Sequence, residues 1–344
     1  MKVYAGMPDR LSLRDTAAWV QRAERLGYDG VQVPETVHDS LAVSLLALEH
    51  STNLTVIAGV ALAFPRSPML TAYTAWDLAE MSNGRFVLGL GTQIRQNIVE
   101  RYSVPWSDPV GRMADYVASL RAIWDSFTTG SRLDHLGEHY QFTRLQPVFN
   151  PGPIACGPPP IWLAGVNEGM VTLAAQVADG YITHPTNSNP RYLDELCLPV
   201  LAERSPVAGP IEVVAYASIV TAPTVDGLHA ARERQRYATA FLYTTPAYAR
   251  SLELHGFADL PERLRALVRS GDWSGLGSIV TDDVLDALTL SATWDDLPGT
   301  INEWYGTRTS GVILAPPDDP DAKADGRFAE VIRAIQRISS PTGE

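Results

Sequence analysis

Cysteine is scarce: Cys156 and Cys197 are the two thiols of the chain, and they lie far apart. That spacing indicates no disulfide framework, and no Cys-x-x-Cys pair suggests a zinc ribbon. Lysine is equally rare, occurring only at Lys2 and Lys323, so arginine supplies 25 of the 27 basic residues. Positive charge is outweighed altogether, with a net charge of −12, which gives nucleic-acid binding little support. Uncharged apolar runs fall short of the roughly 18 residues that a membrane span needs. The opening Met1-Lys2-Val3-Tyr4-Ala5-Gly6 reads as a strand, not as the apolar core of a secretion signal. A soluble, cytoplasmic protein without nucleic-acid or membrane partners is expected. What is present is ordinary for a packed chain: 344 residues, 45% hydrophobic and 19% charged, enough to bury a sizeable core.

Strand and helix patterns alternate from the start. Lys2–Met7 reads as a strand, and Arg10–Leu26 carries Leu13, Ala17, Val20 and Ala23 at helical spacing before stopping at Gly27. Further strands are expected over 31–34, 54–63, 85–91, 161–164, 181–183, 211–221 and 311–315. Helices are expected over 41–50, 68–81, 108–127, 171–178, 190–202 and 327–338. Strands separated by helices imply βαβ units and a parallel sheet. Eight such units predict an α/β fold of the (β/α)8 (TIM) barrel type, read as a single domain over 1–344. Two stretches exceed the simple count. An excursion at about 129–159 precedes strand five, and a longer one at about 224–309, between strands seven and eight, is expected to hold extra helices.

In such a barrel the chemistry sits at the C-terminal ends of the strands. Glu35, His38 and Asp39 follow strand two, and Phe64 and Arg66 follow strand three. Thr92, Gln93 and Arg95 follow strand four, Gly165, Val166 and Asn167 follow strand five, and His184 follows strand six. His38 and His184 are the candidate proton donors, because histidine titrates nearest neutral pH. The competing reading is that each merely caps a strand or bonds a loop. Glu35 and Asp39 stand where they could orient His38. Gly89-Leu90-Gly91-Thr92 offers close backbone approach but lacks the third glycine of a dinucleotide fingerprint. Leu163-Ala164-Gly165-Val166-Asn167, running into a helix, is the better anion cradle, since free N–H groups and the helix dipole both favour negative charge there; the competing reading is a plain strand-to-helix turn. His135-Leu136-Gly137-Glu138-His139 matches a zinc-protease pattern. Gly137 interrupts the helix this pattern would need, and Tyr140–Thr143 reads as a strand, so no metal site is expected.

Several of these segments together resemble the bacterial luciferase-like superfamily of flavin- and deazaflavin-dependent oxidoreductases. They are 23–30 (AERLGYDG), 64–68 (FPRSP), 82–92 (SNGRFVLGLGT), 159–165 (PPIWLAG) and 178–180 (ADG). The resemblance implies the same barrel, with coenzyme F420 or, alternatively, FMN as cofactor. Phe64–Pro68 and Gly91-Thr92-Gln93 look more like the deazaflavin branch, in which a non-proline cis peptide often lies in strand three; Gly59-Val60 is its expected place here. The resemblance further implies cofactor contacts from Gly59, Val60, Gly91, Thr92, Ala164, Gly165 and Val166. Arg66, Gln93 and Arg95 are candidates for anionic parts of cofactor or substrate. A small-molecule substrate and a homodimer are expected. Gln93-Ile94-Arg95 stands where some deazaflavin dehydrogenases carry an acid, and Thr36 where some carry histidine, so their sugar-phosphate activity does not carry over. Hydride exchange between F420 and a small organic substrate is the first reading. An FMN-dependent monooxygenase and a non-catalytic binding barrel are the alternatives.

Overall fold

The computed structural model describes residues 1–318 and 321–341. Its first half alternates regularly: β1 (Lys2–Gly6), α1 (Thr16–Leu26), β2 (Gly30–Val33), α2 (Ser40–Glu49), β3 (Thr55–Leu62), α3 (Pro68–Ser82), β4 (Phe86–Gly91) and α4 (Pro109–Thr129). The first excursion holds a small antiparallel pair, β5 (His135–Leu136) and β6 (Gln141–Phe142). Then follow β7 (Ile161–Ala164), α5 (Glu168–Val177), β8 (Gly180–Ile182) and the short helical pieces α6 (Pro190–Tyr192) and α7 (Leu198–Ala202). Strands β9 (Glu212–Tyr216) and β10 (Ile219–Ala222) lead into α8 (Val225–Leu242), α9 (Ala249–Leu254), α10 (Leu260–Ser270) and α11 (Asp282–Leu288). The chain continues through β11 (Leu290–Thr293), α12 (Leu297–Tyr305), β12 (Gly311–Ile313) and α13 (Ala322–Gln336).

Eight parallel strands close a barrel in the order β1-β12-β9-β8-β7-β4-β3-β2, the expected (β/α)8 architecture. The chain divides into two compact units. One comprises Ala5–Gly165 with Thr172–Tyr181. The other comprises Met1–Tyr4, Val166–Val171 and the described part of Ile182–Glu344.

In the first unit, β2, β3, β4 and β7 run side by side, with Val31 opposite Val56, Ala58 opposite Leu88 and Leu88 opposite Ile161. Apart from Gln32 and Thr55, their side chains are apolar on both faces, as strands covered by helices on one side and barrel core on the other require. Val56, Ile57, Phe86, Leu88 and Leu90 have no exposed surface. Helix α1 stops where Gly27 takes a φ of +87° and donates back to the carbonyls of Ala23 and Glu24. Residues 10–15, expected in the helix, instead precede it as a turn closed by Asp15 N–H to Ser12 O at 2.9 Å.

In the second unit, β12 lies between β1 and β9, with Val312 opposite Val3 and Ala215. The expected strand 211–221 is broken here. β9 ends at Tyr216 inside the barrel order, while β10 leaves it and pairs in parallel with β11, Ile219 opposite Leu290. The long apolar run hid the break, because its partner, β11, sits in a stretch expected to be helical. The second excursion does hold helices, and they build a core of their own around Tyr243, Leu252, Leu264, Leu276 and Leu285.

Gly91 closes β4 against Val60 on β3. A Cβ placed there would stand 2.6 Å from Val60 Cγ2. Gly91→Ala is therefore expected to cost about 1–3 kcal/mol through overpacking. Thermal unfolding should show a lowered midpoint that a second change, Val60→Ala, largely restores; no recovery in the double variant would show that the clash is not with Val60.

Candidate active site

The loops after β2 and β3 are joined by a charged network. Glu35, only 6% exposed, accepts from Arg66 Nη1 at 2.7 Å through Oε1. Its Oε2 accepts from Ser40 Oγ at 2.7 Å and from the Leu62 N–H at 3.3 Å. Arg66 also donates to the Leu62 carbonyl at 2.9 Å and to Asp39 Oδ2 at 2.8 Å. Asp39 Oδ1 caps α2 by accepting from the N–H groups of Leu41 and Ala42. Burial opposes ionisation of Asp39, but the Arg66 bond and charge together with the cap hold its pKa below the usual value. Burial likewise opposes the Arg66 charge, and the two carboxylates outweigh it and raise its pKa.

This network reassigns two expectations. Arg66 has its charge matched by protein carboxylates, so it is not available as a free anion receptor. Glu35 and Asp39 are engaged by Arg66, Ser40 and the α2 N-terminus, so neither orients His38. His38 is half-buried, and its ring makes no hydrogen bond among the described residues.

At the centre of β3 the pairing with β4 skips between Ala58 and Ala61. The Gly59–Val60 peptide is cis, at the place the resemblance implied. Gly59 and Val60 are half-buried, while Val56, Ile57, Ala58 and Ala61 around them are fully buried. Gln32 Nε2 donates to the Gly59 carbonyl. After β4, Thr92 is half-buried, Gln93 adopts a φ of +62° with its Oε1 accepting from the Ile94 N–H at 2.8 Å, and Arg95 is exposed. Phe64 is buried, with the guanidinium of Arg112 4.4 Å above its ring. The sequence reading missed Arg112, whose Nε also donates to Tyr140 Oη at 2.9 Å; a lone arginine inside a helix gives no signal of such a role.

The zinc-protease pattern is a hairpin. His135 lies on β5, and its Nε2 donates to Asp115 Oδ1 at 2.7 Å, while the N–H groups of His139 and Tyr140 donate to Oδ2. Among the described residues no group of three or more His, Cys, Asp or Glu side chains is placed to hold a metal. A cavity of about 340 Å³ lined by Trp124, Pro159, Pro160 and Asp179 lies at the N-terminal ends of β7 and β8, the end of a barrel that carries stability rather than catalysis.

After β7, Ala164, Gly165 and Val166 are half-buried. Tyr181 Oη donates to the Gly165 carbonyl at 2.5 Å. The Asn167 carbonyl accepts from the N–H groups of Met170 and Val171 and so opens α5. Tyr192 Oη donates to the Val166 carbonyl at 2.6 Å.

After β8, His184 is held closely. Its N–H donates to Asn187 Oδ1 at 2.6 Å, and its Nδ1 accepts from the Thr186 N–H at 3.3 Å with the Thr186 hydroxyl 2.9 Å away. A ring nitrogen that accepts from a backbone N–H carries no proton, so the neutral ring is protonated at Nε2. Burial pushes its pKa down to about 4, and the ring is neutral at pH 7. It is thus a hydrogen-bond donor at Nε2 and not an imidazolium acid. The sequence reading also missed Thr186, Asn187, Ser188 and Asn189, each 1% exposed; four small polar residues between a strand and Pro190 were the available signal.

A (β/α)8 barrel with charged and imidazole side chains after its strands defines an enzyme scaffold. The chain belongs to the luciferase-like monooxygenase family, which it matches over residues 3–312, and it is an oxidoreductase. It is 36% identical to an uncharacterized protein of Mycobacterium tuberculosis over 91% of each chain. It is 29% identical to a 5,10-methylenetetrahydromethanopterin reductase of Archaeoglobus fulgidus, over 89% of this chain and 90% of that one. Among solved structures, a coenzyme F420 dependent tetrahydromethanopterin reductase from Methanopyrus kandleri superposes with a TM-score of 0.76 at 18% identity, covering 98% of this chain and 99% of that one. Among the described residues no helix is long and apolar enough to cross a membrane.

Arg66→Met removes the charged partner of a carboxylate that is 6% exposed. The expected cost is about 3–5 kcal/mol, because Glu35 is left as an unpaired buried charge. The Asp39 arm adds little, since that side chain is 53% exposed. Urea unfolding checks this: Arg66→Met should lose most of that stability and Arg66→Met with Glu35→Gln should regain part of it. A single variant within about 1 kcal/mol of the parent would contradict the role assigned to the pair.

Proposed function

We propose that this oxidoreductase binds coenzyme F420 and exchanges a hydride between it and a small organic substrate. The observation that carries the reading is the opening in β3, where Gly59 and Val60 are half-buried between fully buried neighbours, beside a Gly91 that has no room for a side chain. An uncharged, nearly side-chain-free strip suits the face of a flat heterocycle. The start of α5, with Ala164, Gly165 and Val166 before it, suits a phosphate, because a helix N-terminus favours an anion. The residues present therefore fit the group. The likeness to the Methanopyrus protein, a coenzyme F420 dependent reductase, favours the deazaflavin over a flavin.

When bound, F420 supplies the hydride acceptor or donor. The roles left to the protein are binding, orientation and proton handling. Gly59, Val60, Gly91 and Thr92 would lie against the ring, and Ala164, Gly165 and Val166 would take the phosphate. His184, neutral, offers its Nε2–H to a substrate oxygen, and half-buried His38, with no hydrogen-bonding partner among the described residues, is the second candidate for proton transfer. Gln93 and exposed Arg95 would meet anionic parts of the substrate, whereas Arg66 shapes the site through Glu35. The family's monooxygenase description supports a second reading, FMN as the cofactor.

Fluorescence titration separates the two. F420 is expected to bind at least about tenfold more tightly than FMN, a difference of about 1.4 kcal/mol. FMN binding more tightly than F420 would overturn the deazaflavin reading in favour of the flavin one.

A further inference from the structure

The second excursion lies far along the chain from His184, yet it supplies the surface on which that ring rests. Tyr248 ends the turn Pro246–Tyr248 just before α9, and its ring stacks on the imidazole with centroids 4.7 Å apart and planes 28° from parallel. The loop that carries His184 is fastened to the same element at its other end. Asn189 Nδ2 donates to Ser251 Oγ at 2.8 Å, and His255 Nε2 donates to Asn189 Oδ1 at 2.9 Å. Asn189 Oδ1 also accepts from the Tyr192 N–H, so the oxygen takes two hydrogen bonds and the nitrogen gives one. Behind these contacts stands the excursion's own core, in which Leu252 of α9 is completely buried with Leu264 and Leu276.

We propose that Tyr248 is a positioning residue: its ring holds the His184 imidazole in one orientation, with the Nδ1 edge on Thr186 and the Nε2–H edge turned toward substrate. Thr186 fixes one edge of the imidazole, and a flat neighbour on its face restricts rotation about the ring's own bond. The stack is that neighbour. The interaction requires the aromatic ring of Tyr248 and not its hydroxyl. The purpose assigned to the orientation rests on the reading of His184 under the proposed function, but the orientation itself is observable in the protein alone.

The test is long-range ¹H–¹⁵N correlation NMR of the full-length chain at pH 7, with the His184 ring identified among the seven histidines by its loss in His184→Gln. The parent should show one sharp set of His184 ring signals in the Nε2–H form. Tyr248→Phe keeps the stack and should reproduce that pattern. Tyr248→Leu keeps the apolar cover without a flat face, and should give doubled or exchange-broadened ring signals, with an Nδ1–H population appearing. Single, parent-like signals in Tyr248→Leu would overturn the proposal, and so would disorder of the ring in Tyr248→Phe. Circular dichroism of each variant keeps a folding defect apart from a ring effect: a variant that has lost helix is replaced by Tyr248→Met, to which the Leu criteria apply. The ring signals are read without cofactor or turnover, so failure to bind F420 would defeat the proposed function and leave this result standing.

Discussion

The carboxylate of Glu35 is nearly buried, and it is tolerable there because Arg66 meets it at 2.7 Å. That one pair sets the geometry of three chain segments. Through Glu35 it holds the end of β2, through the Leu62 carbonyl the end of β3, and through Asp39 the N-terminus of α2. Ser40 and the Leu62 N–H add to the coordination of Glu35, so both of its carboxylate oxygens accept hydrogen bonds where burial removes water. Around it the strands can be almost wholly apolar. The polar cost of building a site at the strand ends is concentrated in a few saturated groups.

His184 is treated in the opposite way. No charge compensates it. Burial alone depresses its basicity, and its one accepting nitrogen is consumed by Thr186. Such a ring cannot serve as a pre-charged acid at neutral pH, but it can present a fixed N–H without taking up a proton from water. His38 contrasts with it, half-buried and without a hydrogen-bonding partner among the described residues. The two imidazoles, alike in sequence terms, thus differ in environment and so in the chemistry open to them.

Much of the fold was legible because a barrel repeats one local rule. Apolar strands separated by helices gave the parallel order, and Gly27 marked a helix end with the φ that only a left-handed residue supplies. Gly59-Val60 was found through the resemblance, not through periodicity. The break at Ala217-Ser218 was not legible, because a run of strand formers looks continuous whether its partners lie in one sheet or two. The pairing of Glu35 with Arg66, 31 positions away, and of His184 with Tyr248, 64 positions away, could not be read either, since side-chain partners across loops leave no spacing pattern. Sequence proximity suggested that Glu35 and Asp39 serve His38. In the fold Arg66 pairs with both.

Oxygen dependence of turnover tests the account most directly. Hydride exchange with F420 needs no molecular oxygen, whereas a flavin monooxygenase consumes one O₂ for each product formed. With reduced F420 and an oxidised small-molecule substrate found by screening, the account predicts anaerobic return of the oxidised deazaflavin absorbance in one-to-one proportion with substrate reduced. Turnover that appears only with FMN and stops when oxygen is removed would contradict it.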